Sequence, residues 1–223
     1  MVTAIILAGG KSTRMGAGMD KAFLSLVNKP VVAWSLIAFE RSSEIDRIVL
    51  VVRKDQLLAS KAVVRMFGIS KLQTIVAGGA RRQDSVQAGL KACDADTRHV
   101  IIHDAARPCI TSDVINELVK QVKRFGAVTV GRPVIDTLKR AQKGKETKET
   151  VDRDDLYAVQ TPQGFQFRLL RDAYKALDSK AEVTDDAQVL EKSGTPVKIM
   201  DNLKPNIKIT TPEDMQLASA WLK

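Results

Sequence analysis

Thr3-Ala4-Ile5-Ile6-Leu7-Ala8-Gly9-Gly10-Lys11-Ser12-Thr13-Arg14-Met15-Gly16, followed by Asp20-Lys21, sets glycines and cations immediately after a short apolar run. The run from Thr3 to Leu7 reads as a buried strand. A strand that ends in small residues lets the backbone come close to a ligand, and its exposed N–H groups can cradle phosphate oxygens. Arg14 and Lys21 then supply neutralising charge, so the stretch points to a nucleoside triphosphate held at the end of the first strand.

Two other phosphate loops are excluded by spacing. A Walker loop needs a glycine five positions before its Gly-Lys pair, and that position is Ile5, inside the strand. The dinucleotide fingerprint needs a third glycine where Gly16-Ala17-Gly18-Met19-Asp20-Lys21 ends in lysine. The pattern instead looks like the signature loop of nucleotidyltransferases that activate sugars and polyols.

The surrounding chain sets the fold class. Its 223 residues, 44% of them hydrophobic, suffice for one large α/β domain spanning 1–223. After Pro30, which can open a helix at its first turn, Val31, Val32, Trp34, Leu36, Ile37 and Phe39 make a broadly apolar helix. Ile48 to Val52, Leu72 to Ala77 and His99 to Ile102 are short apolar runs of the kind that form parallel strands buried on both faces. Between them, Val114, Ile115, Leu118, Val119, Val122 and Phe125 form one stripe at helical spacing, with Thr111 or Ser112 as cap. Farther on, the pattern predicts a helix from Thr184 to Lys192, strands at Val197–Met200 and Ile207–Ile209, and a last helix with Thr211 as N-cap and Pro212 in its first turn. Alternating strands and helices give a doubly wound, mostly parallel sheet with ligands beyond the carboxyl ends of its strands.

Residues 136–155 break this order. Lys139, Arg140, Lys143, Lys145, Glu146, Lys148, Glu149, Asp152, Arg153, Asp154 and Asp155 crowd a segment with no hydrophobic face, so it cannot be core. It reads as a mobile solvated loop or, more sharply with Thr137, Lys139 and Arg153 at its ends, as an arm reaching another subunit.

Charge and cysteines bound the function. A formal charge of +9 suits polyanionic ligands, but only 4% of residues are aromatic. Stacking platforms are therefore scarce, no nucleic-acid-binding signature is present, and phosphorylated small molecules are the expected partners. Cys93 and Cys109 show no metal or redox spacing and read as reduced cytoplasmic thiols. With no leader pattern and no apolar run long enough to span a bilayer, a soluble cytoplasmic protein without a membrane partner is expected.

A second informative stretch is Ile101-Ile102-His103-Asp104-Ala105-Ala106-Arg107-Pro108. An aspartate at the end of a buried strand, beside a loop carrying arginine, can ligate Mg²⁺ or hold a substrate hydroxyl. His103 reads as a packed strand residue.

Together, Ala8-Gly9-Gly10, Arg14-Met15, Lys21, Gly78-Gly79, Asp84-Ser85-Val86, His103 to Pro108 and Pro133-x-x-Asp136-Thr137-x-Lys139-Arg140 resemble the 2-C-methyl-D-erythritol 4-phosphate cytidylyltransferase family. Thr150 to Arg153, Gln160 to Gln163, Thr184 to Ala187 and Asn206 to Thr210 continue the likeness in order to the end of the chain. The resemblance implies a Rossmann-like α/β cytidylyltransferase of non-mevalonate isoprenoid synthesis, using CTP, methylerythritol 4-phosphate and Mg²⁺ or another divalent cation. It also implies a homodimer joined through the 136–155 arm. By the same resemblance, Ala8, Gly9, Gly10, Gly79 and Ser85 line the cytidine pocket, and Arg14 and Lys21 grip the triphosphate. Asp104, Arg107, Thr161, Thr184 and Lys208 surround the substrate and the reacting phosphorus, with Asp104 the candidate metal ligand. Thr137, Lys139 and Arg153 meet the substrate phosphate across the dimer.

At the opening loop, Gly9 and Asp20 are closer to the molybdenum-cofactor guanylyltransferases, and Ala80 stands where an acidic residue is frequent in the resembled family. Guanylyl transfer gives no account of His103–Pro108 or of Asp136-Thr137-Leu138-Lys139, so CTP is the expected nucleotide. The alternatives are ribitol-5-phosphate cytidylyltransferase, against which Ala106 and Lys139-Arg140 speak, and a non-catalytic nucleotide-binding regulatory protein.

Overall fold

Every residue of strand β1 (Val2–Ala8) is buried, because side chains alternate between two cores on opposite faces of one sheet. Val2, Ala4, Ile6 and Ala8 face one core, and Ile5 and Leu7 the other. The computed structural model describes residues 1–10 and 20–223. Arg14 and the rest of 11–19 lie outside the described residues.

After a two-residue hairpin of β2 (Ser25–Leu26) and β3 (Lys29–Pro30), the chain enters α1 (Val31–Arg41). Pro30 takes the N-cap position, one residue before the first turn where the sequence reading put it. Then follow β4 (Arg47–Val52), α2 (Leu57–Met66), β5 (Leu72–Ala77), α3 (Arg82–Lys91) and β6 (His99–Asp104). Next come α4 (Ser112–Phe125), with Thr111 at the N-cap position, and β7 (Ala127–Pro133). The last part contains β10 (Tyr157–Gln166), α5 (Phe167–Ala176), α6 (Asp186–Lys192), β11 (Lys198–Asp201) and α7 (Pro212–Leu222).

The central sheet has seven strands in the order β11-β7-β10-β6-β1-β4-β5. Its pairings are parallel except that β10 runs antiparallel to both β6 and β7. From β1 the order builds one way through β4 and β5 and the other way through β6. The gap beyond β1 and β6 is thus the switch point where open α/β sheets bind ligands. Register places Leu7 opposite Asp104 there.

Helix α1 and the apolar stripe of α4 cover one face, with Val32, Leu36, Phe39, Ile115, Leu118 and Val122 in a common core. Helices α3, α5 and α6 cover the other through Val86, Leu90, Phe167, Leu170, Val189 and Leu190.

Segment 136–155 is not structureless: β8 (Leu138–Ala141) and β9 (Thr147–Val151) form an antiparallel hairpin separate from the main sheet. All residues from Lys139 to Thr150 are exposed.

Two local expectations need correction. Ile207–Ile209 does not pair as a strand. Its alternation arises because Ile207 and Ile209 pack against Leu26, Val31 and Ala218, while the backbone N–H of Ile209 donates to the Ala106 carbonyl at 2.8 Å. The helix expected from Thr184 starts at Asp186 instead. Asp185 caps it, its Oδ1 accepting the Gln188 N–H at 3.0 Å, because a carboxylate facing the N-terminal N–H groups is the stronger cap.

Candidate active site

The carboxyl ends of β1, β4, β5 and β6 open onto a crevice of about 850 Å³. Ala8, Gly9, Gly10, Lys21, Gly79, Ser85, Asp104 and Lys208, all expected from sequence, line it.

Two glycines between β5 and α3 answer a packing demand. A Cβ on Gly79 would fall 2.4 Å from Asp84 Cβ, and one on Gly78 would fall 2.6 Å from Ser85 Oγ. The β5–α3 turn therefore closes only without side chains there. Ser85 secures it, its Oγ accepting the Gly79 N–H at 3.2 Å and donating to the Arg81 carbonyl at 3.3 Å.

On the opposite wall, Asp104 ends β6 between two cations. Lys208 Nζ lies 2.6 Å from its Oδ2 and Arg82 Nε 3.2 Å from its Oδ1. Burial acts to raise the Asp104 pKa, but Arg82 and Lys208 outweigh it and hold the carboxyl well below the usual carboxylate range. Arg82 also donates to Asp186 Oδ2 at 2.7 Å, and Tyr174 Oη donates to Asp186 Oδ1 at 2.6 Å. Burial disfavours the charge on Arg82, yet Asp186 and Asp104 overcome that and keep it protonated.

Beneath Asp104 runs a neutral network. The Asp104 N–H donates to Thr161 Oγ1 at 3.0 Å, Thr161 Oγ1 lies 3.3 Å from His103 Nδ1, and His103 Nε2 lies 3.2 Å from the Arg107 carbonyl. A carbonyl only accepts, so the network assigns the ring proton to Nε2 and leaves Nδ1 to accept from the Thr161 hydroxyl. Burial pushes His103 down to about 3, so it is a neutral strut, in keeping with its reading as a packed strand residue.

The segment carrying Lys208 is pinned to the same wall. Arg107 donates to the Asn206 carbonyl at 2.8 Å, and Asn206 Nδ2 donates to the Thr161 carbonyl and to Gln160 Oε1, each at 2.9 Å. Lys21 Nζ donates to the Ile209 carbonyl at 3.0 Å, tying the two ends of the chain together across the crevice.

Other expected residues sit elsewhere. Thr161 is buried behind Asp104, and Arg107 donates one guanidinium nitrogen to the Asn206 carbonyl while its Nε is buried with no hydrogen-bond partner among the described residues. Thr184 is exposed just before α6, its hydroxyl donating to Gln188 Oε1 at 3.3 Å. Thr137, Lys139 and Arg153 lie on or beside the hairpin arm. Lys139 Nζ is 2.5 Å from Thr150 Oγ1, and Arg153 donates to the Ile135 carbonyl.

Sequence reading missed Arg82 and Asp186. A signal did exist, since Arg82 is the first residue of α3, where the helix dipole disfavours a cation unless something else holds it.

The comparisons decide the family. The model of the 2-C-methyl-D-erythritol 4-phosphate cytidylyltransferase family matches residues 2–223. The chain belongs to this family. The protein of that name from Alkaliphilus metalliredigens is 41% identical over 223 residues, covering 99% of this chain and 92% of the relative. Its counterpart from Pelotomaculum thermopropionicum is 42% identical over 224 residues, covering 100% and 94%. Among solved structures, 4-diphosphocytidyl-2C-methyl-D-erythritol synthase from Anaerococcus prevotii superposes with a TM-score of 0.87 at 32% identity, covering 99% of this chain and 95% of that one. The 2-C-methyl-D-erythritol 4-phosphate cytidylyltransferase from Thermus thermophilus gives 0.78 at 30%, covering 99% and 98%. The fold class expected from sequence therefore holds, and the chain is a nucleotidyltransferase of the isoprenoid-precursor family.

Proposed function

We propose that this chain transfers CMP from CTP to 2-C-methyl-D-erythritol 4-phosphate, giving 4-diphosphocytidyl-2-C-methyl-D-erythritol and pyrophosphate, in the cytoplasm. The observation that carries the reading is the crevice at the β1/β6 switch point, where a glycine-lined floor faces Lys21, Lys208 and Asp104.

The chemistry asks little of a general base. A phosphate monoester loses its second proton near pH 6, so the attacking oxygen is already anionic at neutral pH. The obstacle is charge: a dianion must reach the α-phosphorus of a triphosphate and pyrophosphate must leave in line. Lys21, with Arg14, which lies outside the described residues, stabilises charge building on the leaving group. Lys208 steadies the α-phosphate and the incoming oxygen. Ala8, Gly9, Gly10, Gly79 and Ser85 hold the cytidine. Asp104 keeps Lys208 aimed, and Arg107 and Thr161 hold the wall behind it.

A divalent cation such as Mg²⁺ fits as an ion carried mainly by phosphate oxygens. Both Asp104 oxygens already hold cations, Asp20 Oδ2 is buried with no hydrogen-bond partner among the described residues, and no cluster of three metal-binding side chains occurs among them. Asp20 and Asp104 are the carboxylates that would meet it. When bound, it supplies charge shielding to the triphosphate.

The arm is read as a homodimer element that carries Thr137, Lys139 and Arg153 to the substrate phosphate in the partner's site, while Thr184, just before α6, meets the substrate from the body of the chain. Its exposed hairpin, and the exposed Ile135, Val159, Ile199 and Leu203 near its base and on the neighbouring strands, support that reading. Neither nucleic acid nor membrane has a part in it.

Phosphorus NMR of a mixture of protein, CTP, Mg²⁺ and methylerythritol 4-phosphate tests the reaction. Equal growth of pyrophosphate and a new diphosphate diester is expected. Hydrolysis of CTP to CMP without the diester would overturn the proposal.

A further inference from the structure

We infer that Arg82 is a positioning residue for nucleotidyl transfer, acting through Asp104 to set how firmly Lys208 is held and so how readily its ammonium turns to the substrate phosphates. The inference rests on the reading of Lys208 as a phosphate-facing group.

Asp186, Arg82, Asp104 and Lys208 form a row of alternating charge contributed by α6, α3, β6 and the 205–210 segment. One end is fixed. The Asp186 side chain is 0% exposed, takes the Tyr174 hydroxyl on Oδ1, and its backbone N–H donates to Gln163 Oε1 at 3.0 Å. The other end is open, for the Lys208 side chain is 39% exposed and lines the crevice. Arg82 spans the interval with a separate nitrogen on each carboxylate.

A carboxylate shared by two cations attracts each less, in net terms, than one with a single cation, because the cations repel across it. With Arg82 in place, Asp104 aims Lys208 yet releases it to an arriving dianion. Without Arg82, Lys208 is the one cation left in direct ion-pair contact with Asp104 among the described residues, and Asp104 keeps it.

Removing Arg82 alone would leave Asp186 buried without its cation, so the charge-balanced Arg82→Gln/Asp186→Asn pair is made beside Arg82→Gln. Both are also built on Lys208→Ala. In the charge-balanced protein kcat is expected to fall roughly tenfold or more while KM for CTP stays within about threefold, and the same change on Lys208→Ala should cost less than about threefold. A second readout needs no turnover: acylation of Lys208 Nζ in the unliganded protein, followed by mass spectrometry, should slow by about threefold or more.

Equal losses with and without Lys208, or acylation of Lys208 that is unchanged or faster, would overturn the inference. Wild-type protein that fails to turn over CTP with methylerythritol 4-phosphate would instead sink the functional reading, and the acylation rates would still decide the charge row.

Discussion

The hydroxyl of Thr161 accepts the backbone N–H of Asp104 at 3.0 Å, across from the antiparallel strand β10 to the end of the parallel strand β6. One buried hydroxyl thus fixes the direction in which the crevice's carboxylate leaves its strand. Replacing Thr161 by Val keeps the shape and removes the acceptor. The orphaned Asp104 N–H and His103 Nδ1 should cost about 1–3 kcal/mol in urea unfolding. kcat should fall more than KM for CTP, because the nucleotide floor lies on the other wall. A variant as stable and as fast as the parent would remove Thr161 from the support of the site.

Lys208→Ala should lower kcat by on the order of 10²-fold, the scale seen when one preorganised transition-state donor is lost. CTP affinity, measured by calorimetry, should change far less, since Arg82 still neutralises Asp104. A loss confined to CTP binding would move Lys208 from the reacting phosphorus to the nucleotide tail.

The floor glycines should separate into two kinds. Gly79→Ala collides with Asp84 Cβ and should loosen the β5–α3 turn, lowering both thermal stability and CTP affinity. At Gly10 a Cβ meets nothing within 4 Å among the described residues, so Gly10→Ala should leave unfolding unchanged. If the nucleotide backs against Gly10, that same variant should still raise KM for CTP severalfold or more. Normal CTP kinetics in Gly10→Ala would place the triphosphate elsewhere.

Acid should destabilise the protein through His103. In the folded chain the ring is held neutral down to about 3, whereas unfolded it takes a proton near its ordinary value of 6.5. Between these limits the unfolded state binds more protons, so stability rises with pH and falls on acidification from about 6.5 toward 3, by up to about 1.4 kcal/mol per pH unit for this one group. Asp104 adds a further loss only below the ordinary carboxylate range, since its folded pKa is depressed and its contribution is full above that range. Urea midpoints measured from pH 7 to pH 4 should therefore fall more steeply for the parent than for His103→Gln. Parallel curves would contradict the buried neutral imidazole.

Much of the fold and part of the site were legible along the chain, for reasons the structure makes plain. Strands β1, β4 and β6 read as continuous apolar runs because each feeds two cores, and α4 carries an unbroken stripe. Thr211 and Asp214 announced α7, the Asp214 carboxylate accepting the Thr211 N–H at 2.9 Å. The crevice's glycines and Asp104 follow directly from strand ends. What stayed hidden depends on partners far apart in sequence. Arg82 reaches Asp104 and Asp186 across three elements, and β10 exposes the apolar Ala158 and Val159 while burying the polar Thr161 and Gln163, an inversion that only its antiparallel neighbours explain. Ile207–Ile209 has strand-like alternation without a strand, because packing under α7 imposes the same period.

If the arm serves the partner's site, damage to body and arm should complement. Lys21→Ala and Arg153→Ala proteins, each nearly inactive alone, should regain roughly a quarter of parental turnover when refolded together, since half the dimers would be mixed and each would carry one intact site. Turnover that stays at the level of the separate variants would place Arg153 in its own chain's site or outside any.

The most direct measurement is pyrophosphate release with Mg²⁺ in a matrix of CTP or GTP against methylerythritol 4-phosphate or ribitol 5-phosphate. The account predicts release only where CTP meets methylerythritol 4-phosphate. Release that depends on GTP or on ribitol 5-phosphate, or none in any combination while CTP still binds, would contradict it.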